Sequence, residues 1–307
     1  MTPKISHCEW VKRRVDLDKH KLETGGARLH KGVSGSEPGK PLISVITVTF
    51  NAVQNLPDTL RTMRAQDYSN VEWVIIDGGS TDGTIDMLRA NEDVIDYWMS
   101  EPDQGMYDAL SKGFERAKGE ILCWLNAGDM FLYGALSTVA DVFQNHPQTN
   151  WITGINFWHI SGCKIISCMI PAGYSSDLIA CGMYGKSLPY IQQESTFFRS
   201  AMLKTANMAK FRQFKLAGDL YLWTCFSKRH SLKVVCAGLG SFCVNESHQL
   251  SDDKVAYWKE ASSFLDRMTF TLWIKMLIRL PLRHAPLRIK KFLAGENLLL
   301  WIGDRWS

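Results

Sequence analysis

Two short turns hold the side chains best suited to chemistry in this chain. The first is Asp77-Gly78-Gly79-Ser80-Thr81-Asp82-Gly83-Thr84, where two carboxylates flank a glycine-serine turn. The second is Asn126-Ala127-Gly128-Asp129, with a single carboxylate. One aspartate can anchor Mg2+ or Mn2+ when the other ligands are diphosphate oxygens and water. Acidic groups therefore suit a metal-bound nucleotide better than a bare anion. Taken singly, either turn also reads as an ordinary strand end, with Asp82 as a helix cap.

The surrounding pattern says what positions these turns. An apolar strand covers 42–51, a second covers 73–76 and stops at Asp77, and a third covers 121–125 and stops at Asn126. Helices are predicted over 56–66, 85–91 and 106–117, with a short strand over 95–99. Strands alternating with helices give a parallel sheet with right-handed crossovers, and ligands bind at the carboxyl edge of such a sheet. Beyond Asp129 the pattern predicts a helix over 135–145, strands over 151–157, 164–169 and 193–198, and helices over 201–208 and 218–228. Strands over 232–235 and 241–244 follow, and residues 171–190 read as an active-site loop. The turn after the first strand, Phe50-Asn51-Ala52-Val53, has neither a G-x-G-x-x-G fingerprint nor a P-loop lysine. This removes most support for a dinucleotide oxidoreductase, an NTPase or a nucleotidyltransferase.

The 307 residues are 46% hydrophobic and 21% charged, ordinary values for a globular protein. A net charge of +4 is too small to imply a nucleic-acid partner. The eight cysteines include no C-x-x-C pair and read as free thiols of a reducing compartment. Residues 1–40 form a polar, loosely ordered extension ending in a Gly-, Ser- and Pro-rich linker, without an apolar run of signal-peptide length. The main domain is placed at 41–250 and a basic amphipathic helical segment at 251–307. Apolar stretches punctuated by Lys and Arg suit a surface helix on anionic lipid, so residues 268–306 are expected to touch a membrane surface. The expected location is the cytoplasm, peripheral to the inner face of the cell membrane.

Several segments, in order, resemble the family 2 glycosyltransferases, most closely the bacterial branch that builds capsule, colanic acid and O-antigen. They are Val48-Thr49-Phe50-Asn51, the Asp77–Thr84 turn, the stretch from Ser100-Glu101-Pro102-Asp103 to Ser111-Lys112-Gly113, Ala117-Lys118-Gly119-Glu120, and Leu125-Asn126-Ala127-Gly128-Asp129. The resemblance covers about residues 42–250 and implies a GT-A fold: a Rossmann-like, mostly parallel central sheet flanked by helices. It implies a nucleotide-diphosphate sugar donor, UDP- or GDP-linked. Thr49 and Asn51 would border the nucleotide, and Asp77 would meet the base or ribose. Asp103 and Lys112 would line the donor pocket, with Lys112 facing the diphosphate.

Asp129 would be the metal aspartate of the DxD-type motif, binding Mg2+ or Mn2+. Asn126 and Gly128 stand where the family often has Asp, so metal binding should be weaker, with Asn126 still offering a neutral oxygen. Gln192-Gln193-Glu194-Ser195-Thr196-Phe197-Phe198-Arg199 resembles the family's H-Q-x-x-F-F-R segment, with Gln192 in the histidine's place. Asp219 lies in the segment that holds the family's catalytic base, and Glu194, on the acceptor side, is the competing candidate. His248, in the loop resembling the one that closes over the diphosphate, would meet a phosphate or the metal. The implied activity is inverting hexosyl transfer to a glycan or lipid-linked glycan in surface polysaccharide biosynthesis. The alternative is a catalytically inactive nucleotide-sugar-binding module.

Overall fold

The computed structural model describes residues 22–31, 39–244, 253–302 and 305–306. The strands of its main sheet are β1 (Glu23–Gly25), β2 (Ile43–Thr49), β3 (Val71–Asp77), β4 (Tyr97–Ser100), β5 (Ile121–Trp124), β6 (Met130–Phe131), β7 (Trp151–Ile160), β8 (Lys164–Met169), β9 (Thr196–Arg199), β10 (Lys233–Gly238), β11 (Gly240–Cys243) and β12 (Leu298–Leu299). The main path runs β1-β4-β3-β2-β5-β9-β7-β10-β12. Strands β4, β3, β2 and β5 are mutually parallel, whereas β9 runs antiparallel to both β5 and β7.

The parallel core follows from composition. Ile43-Ser44-Val45-Ile46-Thr47-Val48-Thr49 is rich in β-branched residues and almost wholly buried, the signature of a strand covered on both faces. Ile46 faces a cluster with Tyr107, Leu110 and Phe114 of helix Met106–Arg116. Its neighbour Val45 faces the opposite cluster, with Leu56, Leu60, Leu88 and Leu136 from three other helices. Helices thus cover both faces. Register places Thr49 beside Asp77 and Asp77 beside Ser100, so three polar residues form one row at the carboxyl edge.

Both termini are more integrated than the sequence suggests. Within the expected loose extension, β1 pairs antiparallel with β4. Arg28 also ion-pairs at 2.7 Å with Glu72, a glutamate buried in β3. At the other end β12 joins the sheet parallel to β10, burying Leu298 and Leu299. The expected helix over 201–208 is a 3-10 turn, Ser200–Thr205, followed by the short helix Met208–Phe211. The loop over 171–190 contains the helix Ser176–Ala180. Among the described residues, no disulfide links the cysteines and no helix is long and apolar enough to cross a membrane.

Candidate active site

Asp77 is fully buried, and its carboxylate is committed to its own turn. Oδ1 accepts from the Thr49 hydroxyl at 2.8 Å and the Ser80 hydroxyl at 2.5 Å. Oδ2 accepts from Gly79 N at 3.0 Å, Ser80 N at 2.8 Å and the Ser100 hydroxyl at 2.7 Å. Five donors leave the carboxylate little capacity for a base or ribose, so Asp77 and Thr49 act here as a latch that shapes the turn. Asn51 is the exposed member of this group, with φ of 48° and its Oδ1 accepting from Thr81 N at 2.9 Å.

Asp103 lies against Gly78, where an added Cβ would come within 2.7 Å of Oδ2. Burial raises its pKa, opposed by the Gly105 N–H and the charge of Lys112. Lys112 itself pairs with Glu101 at 2.6 Å and with Asp108 at 3.5 Å. The expectation of a lysine facing diphosphate therefore meets an ammonium already shared by two carboxylates.

The Asn126–Asp129 turn is braced from three sides. The Thr59 hydroxyl donates to Asp129 O at 2.8 Å and accepts from Gly128 N at 2.9 Å. His159 is buried between Gly128 O, 3.1 Å from Nε2, and the Ser241 hydroxyl, 2.9 Å from Nδ1. Cys243 N donates to Asp129 Oδ1 at 2.9 Å. Gly128 has φ of 105° and packs on Asn55, a left-handed position where a side chain would be strained. Burial pushes the Asp129 carboxyl up to about 7, against hydrogen bonds from Cys243 and Asn126 that lower it. Asn126 Oδ1 is buried without a hydrogen-bond partner among the described residues. A desolvated carboxylate beside an orphaned amide oxygen is a donor set that a divalent cation would satisfy, so these residues fit Mg2+ or Mn2+.

Glu194 lies beside this turn. Burial raises its pKa well above the usual range, and the charges of Asp129 and then Asp219 push the same way. Glu194 thus senses the charges of the other two. Of the two charges, that of Asp129 acts on Glu194 more strongly than that of Asp219.

Asp219 opens helix Gly218–Ser227 and is only partly exposed. The phenols of Tyr257 and Tyr107 reach its Oδ1 at 3.2 and 3.4 Å. Burial raises its pKa, opposed by the Leu220 N–H and both phenols. Gly218 is obligatory for this packing, since a Cβ there would lie 2.5 Å from the Tyr107 ring. Glu260 fixes the approach to the helix, with Oε1 accepting from Lys215 N at 2.8 Å and Oε2 from Leu216 N and Ala217 N at 2.8 and 2.7 Å.

His248 lies outside the described residues. Gln192 pairs with the Phe157 backbone, accepting from N at 2.8 Å and donating to O at 2.9 Å, so it ties the 3-10 turn Gln193–Ser195 to β7. Sequence reasoning missed Thr59, His159, Tyr107, Tyr257 and Glu260. Each acts through a contact between distant segments that no local motif announces.

The sheet order, the helices on both faces and the acidic carboxyl edge define a GT-A fold. Residues 44–158 match the family model described as Glycosyl transferase family 2. An uncharacterized glycosyltransferase of Mycobacterium tuberculosis is 42% identical over 92 residues, 30% of this chain and 35% of that protein. The chain thus matches about a third of that relative's length. Among solved structures, S. aureus TarS 1-349 in complex with UDP-GlcNAc superposes with a TM-score of 0.58 at 14% identity, covering 83% of this chain and 71% of that one. The mannosyltransferase PcManGT from Pyrobaculum calidifontis, in complex with GDP-Man and Mn2+, gives 0.51 at 14% identity, covering 94% and 79%. At that identity the likeness establishes the fold alone. Glu194 and Asp219 lie outside the matched 44–158 segment, so their assignment rests on the contacts above.

Proposed function

We propose that this chain is a metal-dependent inverting hexosyltransferase. It moves a sugar from a UDP- or GDP-sugar to a glycan or lipid-linked glycan in surface polysaccharide biosynthesis. It works in the cytoplasm, peripheral to the membrane, with contact through residues 268–306. The observation that supports this reading is that buried Glu194 feels the charges of both Asp129 and Asp219, carboxylates from two other segments. The structural neighbours' UDP-GlcNAc and GDP-Man support a nucleotide-sugar donor, and the Mn2+ of one supports a divalent metal.

Asp219 takes the proton from the acceptor hydroxyl as that oxygen attacks the anomeric carbon. Both phenol contacts fall on Oδ1, so the proton is assigned to Oδ2. Tyr107 and Tyr257 hold the carboxylate in place, and the braced 126–129 turn holds the donor end. Mg2+ or Mn2+ on Asp129, with Asn126 as a neutral ligand, would offset charge on the departing diphosphate. Alignment of acceptor and donor supplies much of the remaining acceleration. Asp103 and Asn51 border the nucleotide in this reading.

The test uses two variants. Asp219→Asn should abolish transfer while nucleotide-sugar binding persists, and Asp129→Ala should weaken Mn2+-dependent donor binding, read by thermal shift. Near-normal turnover in both would overturn the assignment. Donor binding without metal-dependent transfer or donor hydrolysis in the wild type would favour the non-catalytic binding module.

A further inference from the structure

The two C-terminal helices present their apolar side chains outward. On helix Phe270–Arg279 the inward positions include buried Met276, and Arg279, whose Nη1 donates to Gly173 O at 3.1 Å. Its other edge carries Phe270, Trp273, Ile274, Leu277 and Ile278, a stripe at helical spacing, all exposed, with Phe270 at 80%. Helix Leu287–Ala294 repeats the inversion. Lys290 is buried, its Nζ donating to Ile170 O at 2.8 Å and Arg283 O at 3.1 Å. Phe292 is 84% exposed, with Ile289 and Leu293 on the same stripe. A helix that buries its lysine and exposes its phenylalanine is matched to a surroundings less polar than water on its outer side.

Charge identifies that surroundings. From Arg267 to Gly295 the chain has seven Lys and Arg and no Asp or Glu. We propose that these two helices lie flat on an anionic lipid bilayer, with the apolar stripes in the interface and the flanking cations on lipid phosphates. Lys275 pairs with Asp177 at 2.7 Å, but Arg283 and Arg288 are exposed, and a second copy fits less well because a two-fold contact would oppose these cations with their own copies. Helices of ten and eight residues are too short to span, which leaves the in-plane arrangement. This deepens the membrane contact proposed above by naming the face and the lipid chemistry.

The experiment is co-sedimentation of the full chain with vesicles of phosphatidylcholine, alone or mixed with phosphatidylglycerol. Wild type should partition onto the anionic vesicles and leave the neutral ones. Trp273→Ser with Phe292→Ser should cut that partitioning roughly tenfold or more by removing interfacial apolar area. Arg283→Glu with Arg288→Glu should cut it by roughly tenfold or more through lost lipid attraction. Both variants should retain donor-induced thermal stabilisation, which controls for folding. Equal partitioning of wild type and variants overturns the proposal. So does a wild-type dimer that the Trp273→Ser, Phe292→Ser variant dissolves while no vesicle binding occurs. Vesicle binding without sugar transfer would sink the enzymatic reading alone, and transfer to a soluble glycan without vesicle binding would sink the surface alone.

Discussion

Glu260 offers the sharpest test of how the base is positioned. Its carboxylate accepts three consecutive backbone N–H groups, from Lys215, Leu216 and Ala217, just ahead of Asp219. Hydrogen bonds to a charged group contribute about 1.5–3 kcal/mol each. Lys215 is exposed and water can replace its partner, whereas Ala217 is fully buried and Leu216 partly so. Glu260→Ala should therefore cost about 3–4 kcal/mol, with most of the loss from the last two N–H groups. At about 2–4 °C per kcal/mol for a domain of this size, the melting temperature should fall by roughly 10 °C. Glu260→Gln keeps one oxygen and should lose about half as much stability. Because the segment leads directly into Asp219, kcat should fall in both variants while the KM for the donor, bound at the other end of the site, stays near normal. Differential scanning calorimetry and steady-state kinetics read the two effects. A Glu260→Ala protein with unchanged melting temperature and kcat would refute the clamp.

Tyr257→Phe removes a phenol that favours the charged form of Asp219, whose pKa burial already raises. The groups facing Asp219 are Tyr107, Tyr257 and Glu194, with Glu260 acting on Tyr107. A base works deprotonated, so activity rises with pH through its folded pKa, and loss of the phenol should move the acid limb of kcat to higher pH. An unmoved limb would break the proposed link. Arg28→Ala would leave Glu72 buried without its ion pair and should destabilise the protein by about 3 kcal/mol, read by urea unfolding. A null effect would mean that β1 and its arginine contribute little to the sheet. Mn2+ should bind weakly alone and more tightly with UDP or GDP present, and by reciprocity the nucleotide should bind more tightly with Mn2+. Calorimetric titration showing equal Mn2+ affinity with and without nucleotide would count against Asp129 as a metal site completed by diphosphate.

The parallel half of the sheet was legible because its signals are local. Runs such as Trp73-Val74-Ile75-Ile76 are too apolar for anything but a strand covered on both faces, and the glycine-rich turns mark where they stop. Asp129 and Asp219 were legible as acids at element ends, one after a strand and one opening a helix. Asp77 and Lys112 show the limit of that reading. Their types suit a nucleotide, yet Thr49, Ser80 and Ser100 fill the carboxylate of one, and Glu101 and Asp108 share the charge of the other. Which partner a polar side chain takes is decided by register and crossover geometry, and these pairings span up to 28 residues of sequence. The strands β1 and β12 escaped for a related reason, since pieces of three and two residues show no periodicity and owe their conformation to the edge they join.

The single aspartate of the proposed metal turn becomes intelligible through its bracing. A pair of carboxylates would attract a cation by charge and could tolerate some looseness. With Asn126 in place of a second acid, the attraction is halved and placement has to compensate. Thr59, His159 and Cys243 supply that placement, each fixing a different atom of the 128–129 segment, and two of them come from β7 and β11, strands outside the parallel core. Glu194 lies nearby, but burial and the Asp129 charge raise its pKa, which favours its neutral form, so it adds little charge to the motif. Placement rather than added charge is what the chain folding over the motif supplies, so the proposed donor end depends on β7 and β11 as well as on the strands that announce it.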